Sequence, residues 1–189
     1  MPEYNTPFLE VGLADAVEEI RRLIREVPDF PQPGVLFYDV TTVLKDAAAF
    51  RRSIDVMAEP WRSVQVDAIA AMESRGFIFG APLAYLLNAG FIPIRKLGKL
   101  PAPTVSREYS LEYGSNVLEI HRDAVEPGQR VLLVDDVLAT GGTIATSVEI
   151  VRELGAIPIG IVVLIELDFL KGQDRLGEYG IEVTSFVHY

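Results

Sequence analysis

Two adjacent carboxylates precede a loop of small, hydroxyl-bearing residues in the segment from Val131 to Thr143. Asp135 and Asp136 follow four apolar residues, a pattern that predicts a buried strand ending in the acid pair. Helical periodicity begins at about Thr143, so a helix N-terminus should lie only a few residues beyond the acids. The N–H groups of a helix N-terminus bind phosphate, while carboxylates accept hydrogen bonds from hydroxyl groups. The segment therefore predicts a site for a molecule that carries both groups, such as a sugar phosphate.

The loop after the acid pair has a composition that suits close contact with an anion. Gly141 and Gly142 can bring the backbone near a phosphate, because they have no Cβ atom. Thr140 and Thr143 add hydroxyl donors, and Thr143 is also a candidate N-cap for the helix. Neither the dinucleotide fingerprint nor the Walker loop has this glycine spacing. The alternative is an ordinary strand-to-helix turn with a solvated acid pair. The residues predicted to bind the phosphate are Ala139, Thr140, Gly141, Gly142 and Thr143.

Charge and composition narrow the possible partners. The 189 residues include 17 basic and 27 acidic side chains, for a formal net charge of −10, which argues against nucleic acid or an anionic membrane as the main partner. Attraction of a phosphorylated substrate must therefore be local, from helix N-termini, a few Arg and Lys side chains, and a divalent cation. There is no cysteine, and His121 and His188 are too few to suggest a metal centre. No apolar run is long enough to span a membrane, so we expect a cytoplasmic protein.

Apolar strand-like runs alternate with helical patterns along the chain, which predicts an α/β fold with a parallel sheet flanked by helices on both faces. We expect a single domain over residues 1–189, in which residues 1 to about 40 form a helix and a small hood. Residues 100–121 should form a flexible hairpin lid, with strands over 105–111 and 117–121. The other predicted helices cover residues 14–26, 47–59, 77–87 and 143–154, and the other predicted strands cover 66–72, 91–95, 131–134, 159–164 and 181–187.

Polar side chains follow three of these strands at the point where each strand ends. The segment Glu73-Ser74-Arg75-Gly76 follows one strand, Arg95 and Lys96 follow the next, and the acid pair closes the third. Ligands of such sheets bind beyond the carboxyl ends of the strands, so these side chains should share one site. Arg95, Lys96 and Lys99 form the densest basic patch in this acidic chain. They are candidate ligands of a pyrophosphate, although a solvated loop is the alternative.

The chain resembles the type I phosphoribosyltransferases over all but its first dozen residues. The resemblance rests on the run from Val131 to Thr143 and on four further segments, over residues 30–35, 73–77, 95–96 and 110–114. It implies transfer of a 5-phosphoribosyl group from phosphoribosyl pyrophosphate to a base, with release of pyrophosphate. The segments Ser-Leu-Glu-Tyr-Gly and Pro-Gly-Val-Leu-Phe point to adenine as the base, and hence to AMP as product. The resemblance also implies a homodimer, in which some basic side chains reach the neighbouring active site, and Mg²⁺ held mainly by substrate and water.

The same resemblance implies roles for individual residues. Glu112 would close over the base and exchange a proton at its N7 atom, with Tyr113 as a further lid residue. Asp135 and Asp136 would hold the ribose hydroxyls, and the bond between Glu73 and Ser74 would be a non-proline cis peptide. The predicted pyrophosphate ligands are Arg75, Arg95, Lys96 and Lys99, and the predicted adenine-binding residues are Val35, Leu36, Phe37 and Tyr38.

Two alternatives stay open at this point. The first is the same chemistry on hypoxanthine, guanine, xanthine or orotate, since Tyr38 occupies a position where many family members carry Arg. Leu97 is a second departure, because many members carry Arg or Pro there. The second alternative is a regulator that kept the phosphoribosyl site but lost catalysis, although this acidic chain lacks the basic face that such regulators use. Phe37 could stack on a purine face, or it could be an ordinary core residue.

Overall fold

The computed structural model describes residues 12–110 and 115–189. The chain divides into two compact units, the first ending at Glu59 and the second beginning at Pro60. The hood over residues 1 to about 40 stays a prediction. Among the described residues, none of the helices combines the length and the apolar character that a membrane crossing requires.

The first unit contains two main helices and a short antiparallel hairpin. Helix α1 was predicted to continue to Glu26 but ends at Leu23, because Arg25 and the residues after it pair with a second strand. The Arg25 side chain forms an ion pair with Asp39, the residue opposite it in the hairpin. The Asp46 carboxylate caps helix α3 by accepting hydrogen bonds from two backbone N–H groups. The elements of this unit are α1 (Leu13–Leu23), β1 (Arg25–Pro28), β2 (Leu36–Asp39), α2 (Thr41–Leu44) and α3 (Ala47–Ala58).

The second unit is built on one sheet with helices on both faces. Its strands lie in the order β10-β8-β7-β3-β4-β6-β5, and β9 pairs with β8. The elements are β3 (Ala68–Met72), α4 (Arg75–Leu86), β4 (Gly90–Lys96), β5 (Thr104–Ser110), β6 (Ser115–His121), β7 (Arg130–Leu138), α5 (Gly142–Glu153), β8 (Ile157–Glu166), α6 (Gly172–Gly177), β9 (Val183–Thr184) and β10 (Val187–His188).

Helices α4 and α5 cover opposite faces of this sheet. Ala70 and Met72 of β3 belong to the same buried cluster as Val148 of α5. The neighbouring residue Ala71 instead lies against α4, where a Cβ atom on Gly80 would collide with it. Since successive residues of a strand point to opposite faces, the two helices must lie on different sides. This arrangement confirms the predicted α/β class with helices on both faces.

Three details of the sheet differ from the prediction. The sheet is mixed, because β4 pairs with β6 and β6 with β5 in antiparallel fashion, so the base of the predicted lid hairpin extends the main sheet. Strand β7 does not end at the acid pair but continues to Leu138, because β8 provides hydrogen-bonding partners along that length. The single strand predicted over 181–187 is two short strands, both parallel to β8.

Candidate active site

A cleft lies where the parallel strands β3, β4 and β7 end, and it has a volume of about 280 Å³. That volume is close to the lower end of the range for small-molecule sites. Its position agrees with the expectation that ligands bind beyond the carboxyl ends of the strands. The described residues that line it are Glu73, Ser74, Arg75, Lys96, Tyr109, Asn116, Leu118, Asp135, Asp136, Val137, Leu138, Ala139, Thr140, Gly141, Gly142, Thr143 and Ile144.

The acid pair lies in the wall of this cleft. Asp136 is only 3% exposed, and its carboxylate forms an ion pair with Arg75, with Nε and Oδ2 2.8 Å apart. The Asp135 carboxylate accepts a hydrogen bond from the Asp136 backbone N–H at 2.9 Å. Burial raises the pKa of Asp135 well above its usual range, and the neighbouring charge of Asp136 adds to this effect. Burial also raises the pKa of Asp136, and the Arg75 guanidinium opposes that shift.

The start of helix α4 approaches the acid pair closely. The predicted cis peptide between Glu73 and Ser74 is confirmed. A Cβ atom on Gly76 would lie 2.9 Å from Asp135 Oδ1 and 3.0 Å from the Val134 carbonyl oxygen. Only glycine therefore fits between this turn of the helix and strand β7. That close approach is what allows Arg75 to reach the Asp136 carboxylate.

The predicted phosphate loop lies between β7 and α5. Gly141 has φ +76°, and a Cβ atom there would lie 2.8 Å from the carbonyl oxygen of Gly172. Helix α5 begins at Gly142, so its first N–H groups, which have no acceptor within the helix, belong to the cleft-lining segment. Thr143 was expected to cap α5, but Gly141 occupies the cap position and supplies no side chain. The Thr143 hydroxyl instead lies 3.3 Å from the hydroxyl of Tyr109.

Of the four basic residues predicted to bind pyrophosphate, Arg75 and Lys96 line the cleft. Arg95 Nε donates to the Glu73 carboxylate at 2.7 Å, and its guanidinium also donates to the Lys99 carbonyl. The backbone N–H of Lys99 donates to Glu119. Within the described part of the chain, Arg95 and Lys99 are not among the residues that line the cleft.

Sequence reasoning missed Tyr109 and Asn116 as cleft residues. The two lie opposite each other in the hairpin formed by β5 and β6, a pairing that depends on the register of two strands. Glu73 and Ser74 also line the cleft, as expected from their position after β3, although no role in binding was predicted for them. The tight backbone contact between Gly141 and Gly172 was not predicted either, since the two glycines lie far apart in the sequence.

Several predicted site residues are not assigned to this cleft. Glu112 and Tyr113 lie outside the described residues. The predicted adenine-binding residues belong to the first unit, where Leu36, Phe37 and Tyr38 are part of β2 and Val35 precedes it. The ring of Phe37 is half-buried and packs edge-to-face on Phe30, with centroids 5.1 Å apart.

The donor set of the cleft can be compared with what a magnesium ion requires. Among the described residues, the one group of three His, Asp or Glu side chains close enough to bind a single ion is Glu166, Asp168 and His188. None of these three lines the cleft. The cleft offers the oxygen atoms of Asp135 and Asp136, and Mg²⁺ typically uses one or two carboxylates together with substrate phosphates and water. The residues present therefore fit a substrate-held magnesium ion.

Comparison with known proteins assigns the chain to a family. The model of the phosphoribosyl transferase domain matches residues 40–186. The chain is 55% identical over 172 residues to the adenine phosphoribosyltransferase of Acidobacterium capsulatum, covering 91% of this chain and 94% of the relative.

Solved structures give the same result. A crystal structure of the adenine phosphoribosyltransferase from Thermoanaerobacter pseudethanolicus matches with a TM-score of 0.88 and 54% identity, over 92% of this chain and 99% of that one. The enzyme from Saccharomyces cerevisiae, solved with an imino-altritol bisphosphate and adenine, matches with a TM-score of 0.86 and 37% identity, over 92% and 99% of the two chains. The chain therefore belongs to the phosphoribosyltransferase family and, within it, to the adenine phosphoribosyltransferases.

Proposed function

We propose that this protein transfers the 5-phosphoribosyl group of phosphoribosyl pyrophosphate to N9 of adenine, giving AMP and pyrophosphate in purine salvage. The observation that carries the proposal is the cleft itself. One cavity brings together an acid pair, of which Asp136 is buried, two basic side chains and the N-terminus of α5. These are the groups that a ribose, a pyrophosphate and a 5′-phosphate require, respectively. The yeast relative, which was solved with adenine, supports the choice of base.

The phosphate end of the site supplies binding energy away from the reacting bond. The backbone N–H groups at the start of α5, together with the hydroxyls of Thr140 and Thr143, bind the 5′-phosphate. The backbone of Ala139, Gly141 and Gly142 completes the loop. Fixing the phosphate there positions the anomeric carbon, so that binding at a remote group accelerates the reaction.

The acid pair acts on the sugar. Asp135 and Asp136 accept hydrogen bonds from the ribose hydroxyls, and their negative charge favours the positive charge that develops on the ring as the anomeric C–O bond breaks. Arg75 favours the ionised form of Asp136 through the ion pair at 2.8 Å. Negative charge develops at the same time on the leaving group, where Arg75 and Lys96 stabilise pyrophosphate. Catalysis is therefore mainly electrostatic.

The roles proposed for the residues that bind the base come from the resemblance to the family. Phe37 stacks on adenine, and the backbone from Val35 to Tyr38 reads the edge of the base. Glu112 exchanges a proton with N7 of adenine and, with Tyr113, closes over the reaction to exclude water from the sugar cation. Water would otherwise capture that cation and hydrolyse the donor.

Magnesium is the proposed cofactor. Asp135 and Asp136 would hold it through its water ligands, while the pyrophosphate and ribose oxygens supply most of its coordination. When bound, the ion neutralises charge on the pyrophosphate.

We further propose that the working unit is a homodimer. Helix α4 presents the apolar side chains of Ile78 and Tyr85 on one exposed stripe, and Tyr85 is 72% exposed. In similar enzymes, basic side chains of the segment around Arg95 and Lys99 reach the neighbouring active site. The cytoplasm as the compartment stays a prediction.

Turnover with a panel of bases tests the proposal. Purified protein with phosphoribosyl pyrophosphate and Mg²⁺ should form AMP from adenine at least about 100-fold faster than it uses hypoxanthine, guanine, xanthine or orotate, because a site that hydrogen-bonds one base edge leaves buried polar groups unpaired with another. Preference for a different base would contradict the choice of adenine. Binding of the donor without turnover on any base would instead identify a regulator.

A further inference from the structure

Strand β5 of the hairpin is attached to helix α5 through side chains on one face. Arg107 donates to the Glu149 carboxylate at 2.8 Å and to the Glu153 carboxylate at 2.7 Å. Two residues further along the same strand, the Tyr109 hydroxyl lies 3.3 Å from the hydroxyl of Thr143. Residues two apart on a strand share a face, so both contacts belong to the face of β5 that packs on α5.

The two contacts differ in their surroundings. Arg107 is 41% exposed, and ion pairs of exposed side chains contribute little to stability. Tyr109 is only 8% exposed and lines the cleft, with its ring close to Gly142 at the start of α5. Arg107 therefore aligns the strand along α5, whereas Tyr109 makes the contact that reaches the site.

The chemistry of two adjacent hydroxyls gives this contact a function. Each hydroxyl has one hydrogen to donate and can also accept. In the structure the Thr143 hydroxyl donates to the Tyr109 oxygen. When a phosphate oxygen accepts the hydrogen of Thr143 instead, the pair reverses, and the Thr143 oxygen accepts the hydrogen of Tyr109. Tyr109 then fixes the position of Thr143 Oγ1 while leaving its hydrogen available to the phosphate.

We propose that Tyr109 is a positioning residue for the 5′-phosphate, through its hydrogen bond to Thr143. The same contact connects β5, in which Tyr109 lies three positions before Glu112 in the sequence, with the phosphate-binding end of α5. This inference rests on the proposed function of the cleft and adds a residue to it.

Calorimetry with two fragments of the donor tests the inference. Ribose 5-phosphate probes the phosphate end of the cleft, and pyrophosphate with Mg²⁺ probes the other end. Tyr109→Phe keeps the ring and removes the hydroxyl. It should weaken ribose 5-phosphate binding by about 3- to 10-fold, the effect of one neutral hydrogen bond, and leave pyrophosphate binding unchanged. In steady state it should raise KM for phosphoribosyl pyrophosphate more than it lowers kcat.

Tyr179→Phe is the matched control, since the Tyr179 hydroxyl also donates to α5, at Glu149, but lies outside the cleft-lining residues. It should leave both affinities unchanged. A double-mutant cycle adds a second test: in a Thr143→Val background, Tyr109→Phe should have no further effect on ribose 5-phosphate binding.

Three outcomes would overturn the inference. The first is equal ribose 5-phosphate binding by the wild type and Tyr109→Phe, and the second is an equal loss for both fragments, which would indicate a general structural effect. The third is additivity in the double-mutant cycle, in which Tyr109→Phe weakens ribose 5-phosphate binding as much in the Thr143→Val background as in the wild type. If instead the wild-type protein binds neither ribose 5-phosphate nor phosphoribosyl pyrophosphate, the proposed function itself fails, and the inference fails with it.

Discussion

Replacing Gly141 by Ala adds one methyl group at the most constrained point of the phosphate loop. Two separate obstacles oppose it. The residue has φ +76°, a conformation that L-amino acids with a Cβ atom rarely adopt. The added Cβ would also lie 2.8 Å from the carbonyl oxygen of Gly172, well inside van der Waals contact.

Each obstacle has a typical magnitude. The left-handed conformation costs about 1–2 kcal/mol for a residue with a Cβ atom. An overpacked contact in a close-packed region costs about 1–3 kcal/mol more. If the loop keeps its conformation, Gly141→Ala should therefore lower the free energy of unfolding by about 2–5 kcal/mol. If the loop yields instead, the backbone N–H groups move away from the phosphate and binding is lost.

Gly128→Ala separates the two contributions. Gly128 has φ +87°, but nothing lies within 4 Å of the position of its Cβ atom. It should cost only the conformational part, about 1–2 kcal/mol, and leave ligand binding unchanged. Urea unfolding gives the free energies of both variants, and calorimetry with phosphoribosyl pyrophosphate and Mg²⁺ gives their affinities. If Gly141→Ala matched the wild type in both stability and affinity, the assigned role of this loop would be refuted.

Three further perturbations test other parts of the site and fold. Glu112→Gln should lower kcat by about 100-fold or more, as expected for a lost general acid, with little change in the affinity for phosphoribosyl pyrophosphate. Unchanged turnover in a stopped assay would show that Glu112 acts only as a lid residue. Burial and the neighbouring Asp136 raise the pKa of Asp135. Because the folded-state pKa is raised, the wild type loses stability as the pH rises above the ordinary carboxyl range near 4. The free energy of unfolding of Asp135→Asn minus that of the wild type should therefore increase between about pH 4 and pH 7. A difference that stays flat in urea unfolding across that interval would contradict the assignment. Burial acts to raise the pKa of Asp39, but hydrogen bonds from Thr41 and Arg25 outweigh it and lower the pKa from 3.8 to about 2. After allowance for solvent screening, Asp39→Asn should therefore cost about 1–2 kcal/mol at pH 7, a loss that narrows as the pH falls from 4 towards 2. An equal loss at both ends of that range would show that the interactions of the ionised carboxylate with Thr41 and Arg25 are not its source.

Elements that depend on local patterns could be predicted closely from the sequence. Helix α3 was expected over residues 47–59 and covers Ala47–Ala58, since its cap at Asp46 and the stop at Pro60 are both local signals. The gathering of Arg75, Lys96 and Asp136 at one cleft was also predictable, because parallel strands place their carboxyl ends at the same edge.

The features that were predicted wrongly depend on contacts between residues that lie far apart in the sequence. Arg25 continues a helical pattern in the sequence, but it lies in a strand because it pairs with Asp39. No residue close to Arg25 in the sequence predicts that pairing. Carboxylates are uncommon in strands, so β7 was expected to end at Asp135, yet β8 provides a partner for each of Asp135, Val137 and Leu138. Tyr109 reaches Thr143 only because the hairpin joins the main sheet beside α5.

The most direct measurement is titration calorimetry of the wild-type protein and the Asp135→Asn/Asp136→Asn double variant with phosphoribosyl pyrophosphate in the presence of Mg²⁺. The wild type should bind one donor molecule per chain, and the double variant should bind it at least about 10-fold more weakly, because the hydroxyl-binding carboxylates are gone. Absence of binding by the wild type, or equal binding by the two proteins, would contradict the assignment of this cleft to an activated ribose phosphate.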